Sequence, residues 1–132
     1  MTRVKFLKFW SIAVGSMDAL TGLMLLVAPA GVLGLLGITP PSADALVFLS
    51  WIGVFVLSVG LSYGLALDRR GRGEAVWMFT AGVRMLVALF LTFSILEKSL
   101  ATPWIFVALA DAGVAIVQIA ILRAGWWREV PW

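Results

Sequence analysis

The sequence predicts an all-α integral membrane protein, a bundle of four transmembrane helices with both termini cytoplasmic. Three observations carry that expectation. Of 132 residues, 62% are hydrophobic and 13% charged, with a mean hydropathy of +1.05, whereas a soluble domain is about a quarter charged. The apolar residues gather into four runs, each near the roughly 20 residues that cross a bilayer. The basic residues between those runs are strongly one-sided. A chain of this length has room for a single membrane domain, residues 1–132, and none for a soluble catalytic domain.

The first span is expected at about residues 6–27. Arg3, Lys5 and Lys8 before an apolar run resemble a signal peptide, and Ala28-Pro29-Ala30 has small residues at cleavage-like spacing. The run is longer than the apolar stretch of a signal peptide and carries Asp18, so a retained transmembrane helix is expected. Ser11, Gly15, Ala19 and Gly22 form a small-residue stripe suited to close helix contact, and Pro29 interrupts the helix. The apolar, glycine-containing stretch from Ala30 to Ile38 is too short to span, which predicts a short interfacial or re-entrant helix. Thr39-Pro40-Pro41-Ser42 breaks it, and Ser42 or Asp44 is placed to cap the next helix.

The second span, about residues 43–67, carries Gly53, Gly60 and Gly64. Gly60-x-x-x-Gly64 is a common motif in apolar helices and reads best as packing inside the bundle. Tyr63 is expected near the end of this span with its hydroxyl reaching water or headgroups. Asp68-Arg69-Arg70-Gly71-Arg72-Gly73 reads as a tight basic loop. The third span, about residues 75–96, follows, with Glu74 in a first turn that favours an acid and Trp77 at the interface. Residues 97–102 form the next loop. Pro103 suits a helix start, and the fourth span runs to about Leu122. Trp10, Trp104, Trp126, Trp127 and Trp132 are expected in the interfacial belt.

Under this topology Arg3, Lys5, Lys8, Arg69, Arg70, Arg72, Arg123 and Arg128 fall on one side and only Lys98 on the other. The positive-inside rule places the first group in the cytoplasm. Arg69, Arg70 and Arg72 are accordingly topology anchors facing anionic headgroups. A pI near 10.0 is explained by those flanks, so no nucleic-acid partner is expected.

Three ionisable residues remain inside the spans. An unpaired guanidinium at bilayer depth costs about 2.5 kcal/mol or more, so Arg84 needs a partner, and Asp18 and Asp111 lie near the middle of the first and fourth runs. A guanidinium has donors for two carboxylates. With both acids ionised the cluster carries a net −1, so burial and like-charge repulsion favour a proton on one of them at neutral pH. Gln118, Thr21, Thr80 and Ser16 are candidates to complete its hydrogen bonding. A proton- or substrate-handling site is one reading. A structural clip is favoured, because a relay needs further acids or a histidine along a path.

Cysteine and histidine are both absent, which removes disulfides, thiolate and histidine metal sites, and the commonest general base. No phosphate loop, nucleophile with a base, or metal-spaced ligand set occurs. No catalytic residue, metal or cofactor is therefore expected, although the tryptophans leave room for a quinone, lipid or pigment contact.

Gly53, Gly60, Tyr63 and Ala66, then Asp68-Arg69-Arg70, Gly82 with Arg84, and Asp111 together resemble small four-helix bacterial inner-membrane proteins of the DoxX-like kind. The likeness covers about residues 49–122. It implies the four-helix fold and an inner-membrane location, and DoxX proteins are linked with quinone-coupled sulfur oxidation. Two functions follow as expectations. One is a non-enzymatic accessory or scaffold subunit of a larger respiratory or photosynthetic membrane complex. The other is a DoxX-like quinone-linked component or small carrier using the intramembrane charges. The expected partners are the bilayer and either other membrane subunits or further copies of the chain.

Overall fold

A computed structural model describes residues 1–129, so Trp132 lies outside the described residues. Among these the chain is all-helical: α1 (Arg3–Val27), α2 (Pro29–Leu35), α3 (Ala43–Ser62) continued by a 3-10 turn (Tyr63–Leu67), α4 (Arg70–Leu96), a 3-10 turn (Thr102–Trp104), α5 (Ile105–Arg123) and α6 (Trp126–Glu129). Among the described residues four segments are long and apolar enough to cross a membrane, Arg3–Val27, Ala43–Leu67, Arg70–Leu96 and Thr102–Arg123.

Local chemistry sets most boundaries. Thr2 caps α1 through its hydroxyl. Pro29 cannot continue α1 and instead opens α2 at a position where its missing N–H does no harm. Gly37 reverses the chain after α2 with a φ of 71°, a conformation that disfavours any Cβ. Ser42, not Asp44, caps α3.

The basic loop is shorter than expected. α4 begins at Arg70 rather than near residue 75, so Arg70, Gly71, Arg72 and Gly73 are helical. Arg72 reaches back one turn to Asp68 at 2.8 Å. Glu74 therefore sits beyond the first turn, where the helix dipole has faded, and it pairs with Arg128 at 2.8 Å instead. Pro103 lies in the 3-10 turn before α5 rather than in its first turn.

Two antiparallel hairpins result, α1 with α3 and α4 with α5. In the first, Gly15 lies against Gly60 and Gly22 against Gly53. A Cβ at any of the four would come within 3.0 Å of atoms in the facing segment, most of them backbone. Gly64 is different: nothing lies within 4 Å of its missing Cβ, so it makes no packing contact and the Gly60-x-x-x-Gly64 motif is not the contact surface. The working spacing is seven residues, Gly15 to Gly22 and Gly53 to Gly60. The second hairpin repeats it with alanine, burying Ala81 and Ala88 on α4 and Ala108 and Ala115 on α5. Small residues seven apart keep one narrow face toward the partner helix over several turns.

The hairpins join each other at the end that carries both termini. There the 3-10 turn Tyr63–Leu67 inserts between α1 and α4, and Leu7, Val14, Tyr63, Ala66, Trp77, Ile121 and Trp127 form the core. Phe6, Trp10, Trp77, Trp126 and Trp127 make a continuous ring cluster, including an edge-to-face Trp77–Trp127 pair at 5.3 Å. Each such pair adds about 0.5–1.5 kcal/mol beyond area burial. Three expected interfacial residues are thus core residues. Trp77, Trp127 and Tyr63 are at most 1% exposed, and the Trp77 indole N–H donates to Ser11 Oγ at 2.9 Å. The physical reason is helix rotation: small residues on the neighbouring helices leave large hollows that only these rings fill, as where Trp127 lies against Gly73.

Candidate functional site

The three charged residues in the interior stretches of the long helices come together at one level. Asp18 projects from the middle of α1, Arg84 from the middle of α4, and Asp111 from the first half of α5. The Arg84 guanidinium donates through one terminal nitrogen to Asp111 Oδ1 at 2.6 Å and through the other to Asp18 Oδ2. The side chains are 5% exposed for Arg84, 10% for Asp18 and 18% for Asp111. Charge-assisted bonds of this kind are roughly twice as strong as neutral ones.

A neutral polar layer lies on the terminal side of the charges. The Tyr63 hydroxyl borders the guanidinium and donates to Gln118 Oε1 at 3.0 Å. The Gln118 amide donates to Thr80 Oγ1 at 3.2 Å, and the Thr80 hydroxyl donates to the Val76 carbonyl at 2.8 Å. Gln118 and Thr80 are fully buried. They support Tyr63 rather than bonding the charges directly. Thr21 lies one turn beyond Asp18 on the other side and lines a cavity, while Ser16 is exposed. Tyr63 is the site residue that the sequence reading misplaced. Its signal was positional: three residues after Gly60, it falls on the stripe of the second span that faces α1, and Gly15 leaves the room its ring needs.

On the side away from the termini the two hairpins diverge. They leave a cavity of about 720 Å³ whose floor is Asp18, Arg84 and Asp111. Its walls are hydrocarbon, including Val56 and Val59 from α3, Phe90 and Leu91 from α4, and Val107 from α5. Val32 of α2 and Leu36 just after it close one side. A smaller space of about 250 Å³ under the loop after α2 adjoins it, sharing Leu49, Leu100 and Trp104. The expected interfacial helix is therefore a wall of this compartment.

Arg69, Arg70 and Arg72 stand at the terminal end, exposed. The Arg69–Asp68 and Arg72–Asp68 pairs at 3.9 and 2.8 Å are of the exposed kind that adds at most about 1 kcal/mol. The arrangement as a whole is an apolar compartment that ends in two carboxylates bridged by one guanidinium. Comparison with known proteins finds no matching family model, no matching curated protein and no matching solved structure.

Proposed function

We propose that this protein is a small multi-pass membrane protein that binds a lipophilic molecule between its two helical hairpins. The observation that carries the reading is the 720 Å³ cavity, apolar in its walls and charged only at its floor. Ligand sites have this build, a mostly apolar hollow with a few convergent polar groups, and ionisable residues at membrane depth mark functional positions by default. In this reading both termini and Arg69–Arg72 face the cytoplasm of a bacterial inner membrane, in line with the one-sided basic residues. The charged floor then lies near mid-bilayer, and the cavity faces the opposite side. The likeness to DoxX-like proteins belongs to the same proposal and rests on the sequence pattern around Gly60, Tyr63, Arg84 and Asp111.

Native mass spectrometry of the full chain from mild detergent tests this. A lipophilic molecule retained by the wild type and lost from Val56→Trp, which fills the cavity, is the expected result. Equal retention by both proteins overturns it.

A second reading, a non-enzymatic accessory or scaffold subunit of a larger membrane complex, is favoured by α3. That helix packs along one stripe and presents a connected aromatic strip of Phe48, Trp51 and Phe55 outward. Other membrane subunits at fixed stoichiometry in the same preparation support it, and a solitary protein counts against it.

A further inference from the structure

We infer that the occupant of the cavity is a lipophilic monocation, an organic ammonium or phosphonium whose charge lies against Asp111 and Asp18. This rests on the cavity-binding reading above and names its ligand class. The first argument is charge. Asp18 and Asp111 are the anions lining the cavity and Arg84 is the cation, which leaves one negative charge in excess when both acids are ionised.

The second argument is what the cavity meets. The guanidinium is the most withdrawn of the three groups, at 5% exposure against 10% for Asp18 and 18% for Asp111. Arg84 occupies one oxygen of each acid, Oδ2 of Asp18 and Oδ1 of Asp111, so each carboxylate keeps a second oxygen. The floor thus presents the second carboxylate oxygens beside the guanidinium, with Asp111 the most exposed of the three groups, to whatever fills the space above it.

The third argument is the wall. An uncompensated charge in hydrocarbon is strongly disfavoured, so the excess is met either by a proton on one acid or by a counter-charge, and only the counter-charge brings a ligand with it. A hard metal cation wants about six oxygen ligands or its own waters, and the valine, leucine and phenylalanine side chains around this floor supply neither. A cation that carries its own apolar groups meets both demands at once. Phe90, Phe106 and Trp104 also line the space, and aromatic faces attract organic cations within about 6 Å. A neutral ligand leaves one acid to hold a proton, and an anion adds a second negative charge.

The test uses the full chain in detergent, corrected against empty micelles, and three probes. Tetraphenylphosphonium and tetraphenylborate share a shape and differ in sign, and neutral N-phenyl-1-naphthylamine reports occupancy of the cavity by fluorescence. Tetraphenylphosphonium is expected to bind at least tenfold more tightly than tetraphenylborate. Asp111→Asn keeps the shape and the Arg84–Asp18 pair, and it should weaken tetraphenylphosphonium at least tenfold more than it weakens the neutral probe. If the neutral probe binds and the two ions bind equally to the wild type, the charge inference is overturned and the cavity reading survives. That comparison needs no variant to fold. Unchanged tetraphenylphosphonium affinity in Asp111→Asn overturns the inference in the same way. If no probe binds, the cavity reading itself fails.

Discussion

Alanine at Gly60 and alanine at Gly64 together test the contact that holds the first hairpin. A Cβ at Gly60 would lie 2.3 Å from the Ala19 backbone nitrogen, 2.7 Å from the Gly15 carbonyl oxygen and 2.8 Å from the Ala19 Cα. All three are backbone atoms, so no side-chain rotation relieves the clash. Restoring an ordinary contact of 3.4 Å requires α1 and α3 to part by about 1.1 Å, the difference between 3.4 and 2.3. Overpacking of this sort costs about 1–3 kcal/mol, and the better helix propensity of alanine returns up to about 1 kcal/mol. Because the clash is with backbone, the upper part of that range applies, and a net loss of about 1–2 kcal/mol remains. Gly64 has nothing within 4 Å, so Gly64→Ala keeps only the propensity gain. Thermal unfolding of the purified full chain in detergent, followed by tryptophan fluorescence, reads the difference. At about 4 °C per kcal/mol for a chain of this size, Gly60→Ala should lower Tm by about 4–8 °C. Gly64→Ala should leave it unchanged or raise it. Equal losses at the two positions would mean that Gly60-x-x-x-Gly64 is the working surface and that the seven-residue spacing is not.

Three further outcomes are expected. Arg84→Gln leaves two buried carboxylates without their cation and should destabilise by about 3–5 kcal/mol, while adding Asp18→Asn and Asp111→Asn to it should recover most of that loss. Denaturant unfolding compares the two, and a triple variant no better than the single refutes the pairing. Trp77→Phe removes the donor to Ser11, worth about 1 kcal/mol, and adds the cost of the hollow its smaller ring leaves, and in a double-mutant cycle with Ser11→Ala the hydrogen-bond part of the two losses should not add. Because the chain has no cysteine, Lys5→Cys and Glu97→Cys report topology: a membrane-impermeant maleimide added to intact cells should label only Glu97→Cys, and the reverse pattern inverts the proposed orientation.

The four long helices were legible because hydropathy alone marks them, and one boundary was not. Arg70 to Gly73 has the composition of a loop, yet it is helical, since the Arg72–Asp68 pair and the Gly73–Trp127 contact both need a helix there. The charge cluster was legible from scarcity: Arg84 had two candidate partners and engages both. Helix rotation was the part that the letters hid. Tryptophan near a span end fits the interface as well as the interior, and only the hollow beside Gly73 or the hydroxyl of Ser11 decides for the interior. The stripes 15/22, 53/60, 81/88 and 108/115 hold that rotational information, but no one stripe stands out in a sequence so rich in glycine and alanine.

The position of the cluster explains why it has two acids rather than one. Within each hairpin the small residues bring the helices close, so bulky side chains are left to meet across the seam between hairpins. At the terminal end those are Tyr63, Trp77 and Trp127, wide enough to fill it. Farther on they are Val56, Val87, Leu91 and Val107, and the seam opens into the cavity. Asp18, Arg84 and Asp111 stand at the border of the filled and the open halves. Joining the hairpins there takes only the Asp18–Arg84 pair, because α1 belongs to one hairpin and α4 to the other. Asp111 lies on α5, in the same hairpin as Arg84, so its bond to the guanidinium does nothing to join the two. A second acid that adds no cross-link and is the most exposed of the three belongs to the cavity more than to the join. Neutralising Asp111 should therefore spare the fold and change what the cavity accepts, whereas neutralising Asp18 should loosen the seam itself.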